Sequence, residues 1–271
     1  MKKLVALFCI LMLFSCKENN TEERIPVEPH NGIGDGAGPP PVLSFSENIE
    51  EAHNKPSFMN HDAVSFDIAL KFGGAERLNA KISMTTNSTR VRVDKTNGTS
   101  LIFDGEKTVI TPDTVKTDGA RFDIFTWQYF FALPFKLTDP GTVWEREEKR
   151  KLGSEQYNTA QLSFESGVGD SPDDWYIIYQ DPETKRLKAA AYIVTFSKDR
   201  AEAEENPHAI VYSNYRTVED VAFATKWSFH NWDDNDALGE KLGEAQISNI
   251  RFFEPQEDYF GVPENSKPIA K

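Results

Sequence analysis

Val64-Ser65-Phe66-Asp67-Ile68-Ala69-Leu70-Lys71-Phe72, followed by Gly73-Gly74, decides the fold. Val64, Phe66, Ile68, Leu70 and Phe72 fall on every second position, with Ser65, Asp67 and Lys71 between them. That is the period of a strand with one buried face. The glycine pair is a turn. After it Leu78, Ala80, Ile82 and Met84 alternate again, with Asn79, Lys81 and Ser83 on the other face, so the two runs predict a hairpin. The pattern continues through residues 90–94 to Asn97-Gly98, through 99–103 to Asp104-Gly105, and ends over 107–111. Such dipeptides between alternating runs are hairpin signals. The reading is a meander of five short antiparallel strands.

Working outward, one helix interrupts the strands. Residues 121–133 hold Phe122, Ile124, Phe125, Trp127, Tyr129, Phe130, Phe131 and Leu133. A helix apolar nearly all round is buried or lies over an apolar surface. Pro134 limits it, and Asp139-Pro140-Gly141 turns the chain. Upstream, residues 44–54 predict a short helix with Ser46 as N-cap and Pro56 as its stop. Downstream, strands are predicted at 143–152 (highly charged, an edge), 157–164, 175–180 (apolar on both faces), 187–196, 209–212, 223–232 and 247–253. Tyr192, Val194 and Phe196 share a face of the fourth. The fold class is mainly β (α+β). Such a large antiparallel sheet must curl or pack on something to bury a face.

The N-terminus has its own logic. Lys2 and Lys3 precede an apolar run from Leu4 to Phe14, the layout of a secretory signal. The run is shorter than the roughly 20 residues a membrane span needs. Leu13-Phe14-Ser15-Cys16 resembles the bacterial lipobox, with Phe14 bulkier than the usual residue there. The expectation is a signal peptide over 1–15, lipidation of Cys16, a tether over 16–42 and one domain over 43–271. The tether is rich in glycine and then proline, a flexible piece before a stiffer one. Lys17-Glu18 is a short copy of the charged segment that sends some lipoproteins to the outer face of the outer membrane. Outer-membrane anchoring is expected, with the face left open.

Composition narrows the rest. The only cysteines are Cys9, lost with the signal, and Cys16, so the domain has neither disulfide nor thiol nucleophile. Losing two lysines and no acid takes the net charge from −13 to −15. That argues against nucleic acid and anionic headgroups as partners.

The strand–helix–strand order resembles the curved half-barrel of the LolA/LolB lipoprotein-carrier superfamily. It is more closely similar to a family of Bacteroidota outer-membrane lipoproteins of unknown function. The resemblance is carried by residues 103–107 (Phe-Asp-Gly-Glu-Lys), 129–141 (Tyr-Phe-Phe-Ala-Leu-Pro-Phe-Lys-Leu-Thr-Asp-Pro-Gly) and 175–184 (Trp-Tyr-Ile-Ile-Tyr-Gln-Asp-Pro-Glu-Thr). It implies a curved antiparallel sheet with covering helices around an apolar cavity, and a lipid or other apolar ligand. The candidate lining is Phe125, Trp127, Tyr129, Phe130 and Leu133. Ordinary core packing is the simpler account of the same residues, and the two readings differ in whether open volume lies beside the helix.

No catalytic set emerges, and no enzymatic activity or cofactor is expected. There is no G-x-S-x-G, P-loop or dinucleotide fingerprint. His53 and His61 flank Pro56, with Asp62 adjoining, but their spacing fits no zinc signature. Asp233-Asp234-Asn235-Asp236 lacks the downstream ligands of a calcium loop and reads as an acidic turn. No metal is expected. His230 falls on the face opposite Phe223, Trp227 and Phe229. The alternative function is a surface-exposed glycan-binding protein or hydrolase using acids such as Asp173 or Asp233.

Overall fold

Strand β1 (Ala63–Phe72) pairs on one side with β2 (Ala75–Thr85) and on the other with β12 (Leu238–Phe253), so the sheet grows outward from its first strand in both directions. The computed structural model describes residues 42–196, 198–233 and 238–270. The signal segment, Cys16, the tether through residue 41, and Asp234, Asn235 and Asp236 of the acidic turn lie outside the described residues.

On one side the meander continues through β3 (Val91–Lys95), β4 (Ser100–Phe103) and β5 (Thr108–Thr111) to a two-residue strand, β13 (Lys267–Pro268). On the other side the order runs from β12 to β11 (Val221–Trp232), β10 (His208–Val218), β9 (Leu187–Tyr192), β8 (Tyr176–Gln180), β7 (Glu155–Phe164) and β6 (Thr142–Leu152). Every pair is antiparallel. The sheet does not close, and β13 and β6 are its edges. β6 is mostly exposed and carries Glu145, Glu147, Glu148, Lys149 and Lys151, the charge that discourages edge-to-edge pairing. The result is the expected open half-barrel.

Among the described residues four α-helices accompany the sheet. α1 (Phe45–His53) starts at Ser44, not Ser46. The Ser44 hydroxyl accepts from Glu47 N at 3.3 Å, and Ser44 N donates to the Glu47 carboxylate at 2.8 Å, a complete capping box. Ser46 is buried instead. Pro56 does not stop the chain's helical path. Asn54, at φ 59, ends α1, and Pro56 sits in the first turn of α2 (Lys55–Met59), where its missing N–H costs nothing. α3 (Ala120–Ala132) runs into a 3₁₀ turn at Leu133–Phe135. α4 (Arg200–Glu204), which periodicity did not reveal, is capped by Asp199.

α3 packs on the inner face of the sheet. Phe131 stacks on Phe66 at 3.9 Å and on Phe223 at 5.0 Å, and Phe58 stacks on Phe135 at 4.0 Å. Each buried aromatic of this kind stabilises by roughly 2–3 kcal/mol. The first turn of α3 carries a buried carboxylate, Asp123. It takes Arg77 of β2 at 2.7 Å, Lys95 of β3 at 2.7 Å and Trp127 Nε1 at 3.1 Å. Glu50 fastens α1 in the same way, accepting from Thr138 N and Oγ1 and from Lys55. A smaller apolar cluster lies apart from this core, around Ile177, Tyr179, Ala189 and Trp232. It explains why β8 is buried along its whole length.

Candidate functional site: a cavity beside the central helix

α3 gives only part of its surface to the sheet. Ile124, Trp127 and Phe131 are buried in the core, whereas Phe122, Phe125 and Tyr129 remain half-buried and border a cavity of about 540 Å³. This is within the roughly 300–1,000 Å³ of small-molecule sites. The facing wall is Phe164 of β7, Tyr176 of β8 and Tyr192 of β9, continued by Val194 and Phe196. Phe103 of β4 and the turn at Asn87 and Ser88 complete it from the meander half of the sheet. The rings form a connected wall, with centroids 5.7 Å apart for Tyr129–Tyr176, 6.1 Å for Tyr176–Tyr192 and 5.0 Å for Phe130–Tyr192. The all-round apolarity of α3 thus has two causes, a sheet on one side and this wall on the other.

The charged lining is internally paired. Arg121 Nη2 lies 2.5 Å from Asp170, and its guanidinium also covers the Phe125 ring at 5.0 Å. Lys136 lies 2.7 Å from Asp139. Among the described residues no cation pairs with Asp174. Its Oδ1 accepts from Thr195 N at 2.8 Å and from the Thr195 hydroxyl at 2.7 Å. Burial raises its carboxyl above the ordinary range, and the two Thr195 bonds oppose that. The phenols of Tyr129, Tyr176 and Tyr192 are all pushed up, first by burial and then by neighbouring charge that includes Asp174.

Of the five lining residues expected from sequence, Phe125, Tyr129 and Phe130 border the cavity. Trp127 and Leu133 do not. Trp127 points into the core against Phe229, and Leu133 is fully buried in the 3₁₀ turn. The strand expected over 187–196 ends at Tyr192, because Thr195 leaves the ladder to bond Asp174. Tyr192, Val194 and Phe196 still share one destination, the cavity. Sequence reasoning missed Tyr176, Phe164, Gln128 and Asp174. Tyr176 was concealed by a strand apolar on both faces.

The histidines go elsewhere. His53 is wholly buried, with Nδ1 donating to Ala222 O at 2.8 Å and Nε2 accepting from Leu187 N at 3.1 Å. Both ring nitrogens are therefore committed to backbone. His61 stacks on Phe252 at 3.8 Å. His230 meets Ser228 Oγ at 3.0 Å. Among the described residues no three His, Cys, Asp or Glu side chains gather as a metal site. Asp173 and Asp233 are exposed and do not line the cavity. No described helix is long and apolar enough to cross a membrane.

Comparison with solved structures places the fold. A LolA superfamily protein from Nitrosomonas europaea superposes with a TM-score of 0.51 at 9% identity, covering 79% of this chain and 97% of that one. A DUF1329 family protein from Desulfovibrio piger gives a TM-score of 0.48 at 9% identity, covering 81% and 98%. Likeness at this identity is likeness of fold. No curated protein matches the sequence significantly. Residues 59–241, from the end of α2 to the start of β12, match a known family of unknown function, and the chain belongs to that family, DUF6503.

Proposed function

We propose that this is a non-enzymatic cell-envelope lipoprotein, anchored in the outer membrane through Cys16 and holding a lipid or other apolar ligand in its half-barrel. The observation that carries the ligand reading is the 540 Å³ cavity between α3 and the β7–β9 wall, with nine aromatic rings among its described lining residues. A core built only for stability is close-packed, whereas this half-open pocket leaves ring faces without the protein contacts that a packed core supplies. An occupant restores them. The anchor reading rests on the N-terminal sequence, and the tether up to residue 42 would hold the domain off the bilayer. A protein fixed in this way does not shuttle. It receives or keeps its ligand near the membrane.

Native mass spectrometry of the gently purified chain tests the ligand reading. A co-purifying lipid, or uptake of a fatty-acid probe, is the expected result. A chain that carries none and takes up none overturns it. Cys16→Ser tests the anchor. The variant should leave the membrane fraction, and retention there would overturn lipidation. The alternative, a hydrolase using Asp173 or Asp233, gains no support from the cavity, since neither residue lines it.

A further inference from the structure

The cavity is apolar in outline but has a set of polar atoms without partners. Gln128 of α3 is 6% exposed and borders the cavity. Its Nε2 donates to Phe125 O at 3.0 Å, which fixes the amide orientation, because only the nitrogen can face a carbonyl. Its Oε1 is then a buried acceptor with no hydrogen bond among the described residues. Ser88 Oγ, on the same lining, is likewise buried and unbonded. The hydroxyls of Tyr129, Tyr176 and Tyr192 make no hydrogen bond to any described residue, whereas Tyr212 and Tyr215, which lie off the cavity, donate to Phe130 O and Leu187 O. Buried polar groups are nearly always satisfied in a finished structure. Among the described residues Gln161, Gln180 and Trp227 carry similar orphans away from the cavity, but Gln128 and Ser88 share its lining with three phenol hydroxyls that open onto it, so there an occupant can complete the bonding.

The charges say what kind of group that is. Asp139, Asp170 and Asp174 face the cavity against only Arg121 and Lys136, and both cations are already paired. An anionic head would find no unpaired cation on the lining and would sit near Asp174. The orphaned Gln128 oxygen and Asp174 accept hydrogen bonds, and the phenols can accept as well as donate.

Building on the ligand reading above, we infer that the occupant is an amphiphile with an uncharged, hydrogen-bond-donating head, a hydroxyl or amide, held by Gln128, Tyr129, Tyr176 and Tyr192, and that anionic acyl chains are discriminated against.

The test uses the full chain and two probes with the same tail, monopalmitoylglycerol and palmitate, with affinities read by native mass spectrometry at neutral pH. Monopalmitoylglycerol should bind about ten-fold more tightly, the size of one or two neutral hydrogen bonds plus avoided charge burial. Gln128→Met and the pair Tyr176→Phe with Tyr192→Phe keep shape and remove only the polar atoms. Each should cut the preference to within about two-fold, at an unchanged melting temperature. Equal binding of the two probes by the natural chain, or a preference that survives in all variants, overturns the head-group inference while leaving an apolar ligand standing. Uptake of neither probe overturns both.

Discussion

Lys95 Nζ lies 2.7 Å from the carboxylate of Asp123, and Arg77 holds the other oxygen at the same distance. A single acid in the first turn of α3 therefore joins the helix to β2 and β3, and an acid there also suits the helix dipole. Asp123 is almost fully buried, while its two cations reach solvent.

Asp123→Asn should destabilise the domain by about 2 kcal/mol. That is less than the roughly 3–5 kcal/mol for breaking a fully buried pair, because Arg77 and Lys95 can turn to water. Trp127 keeps an acceptor in this variant if the amide oxygen takes the Oδ1 place, so the loss reports the charge and the acceptor that Lys95 used. Urea unfolding of the variant against the natural chain measures it.

His53 gives the fold an acid sensitivity. Burial holds its pKa down at about 4, against 6.5 for the free side chain. The folded pKa is depressed, so the unfolded chain takes the proton first. Stability is complete above pH 6.5 and falls as pH drops from 6.5 towards 4, by up to about 3 kcal/mol from this group. His53→Leu should flatten that slope. It should also lose about 2 kcal/mol at pH 7, since Ala222 O and Leu187 N lose their partner. Unfolding midpoints at pH 7 and pH 5 for both chains check the sign and the size.

Gly243 lies where β12 passes β1 at its tightest. A Cβ there would meet Lys71 O at 2.5 Å and the Phe72 ring at 2.7 Å. Gly243→Ala forces backbone or ring to move, at a cost of about 1–3 kcal/mol. Thermal unfolding should show a clear drop. Gly153→Ala, with open space but a positive φ at its turn, should cost about 1 kcal/mol, for a different reason.

Thr126→Trp places a large ring on the cavity side of α3. It should lower ligand uptake by ten-fold or more, with a melting temperature within a few degrees of the natural chain. Native mass spectrometry with the palmitoyl probes reads the first, and calorimetry the second.

Much of this architecture was legible because local chemistry wrote it. The alternation from Val64 to Met84, and the Asn97-Gly98 and Asp104-Gly105 turns, specify the meander residue by residue. The aromatic run of α3 specified a buried helix. What was not legible is what no local pattern encodes. Ala63 pairs with Phe253, and nothing near either residue says so. Val194 and Phe196 keep a strand's period in the sequence after the chain has left the sheet, and both still border the cavity. The split of α3 into a core side and a cavity side was hidden for the same reason. Both sides want aromatics, and the polar residues of the cavity side, Arg121, Thr126 and Gln128, are too few and too scattered to set a pattern.

The central position of β1 bears on how the chain reaches its folded state. A ribosome delivers β1 among the first strands and β12 almost last, yet the two lie side by side. The meander can zip from neighbour to neighbour, but the seam that unites the halves of the half-barrel waits for nearly the whole chain. Such late, long-range closure makes folding slow. Until then the β12-facing edge of β1 stands open, with the hydrogen bonds of that edge unmade. A chaperone that shields one segment of this protein would gain most by covering that edge.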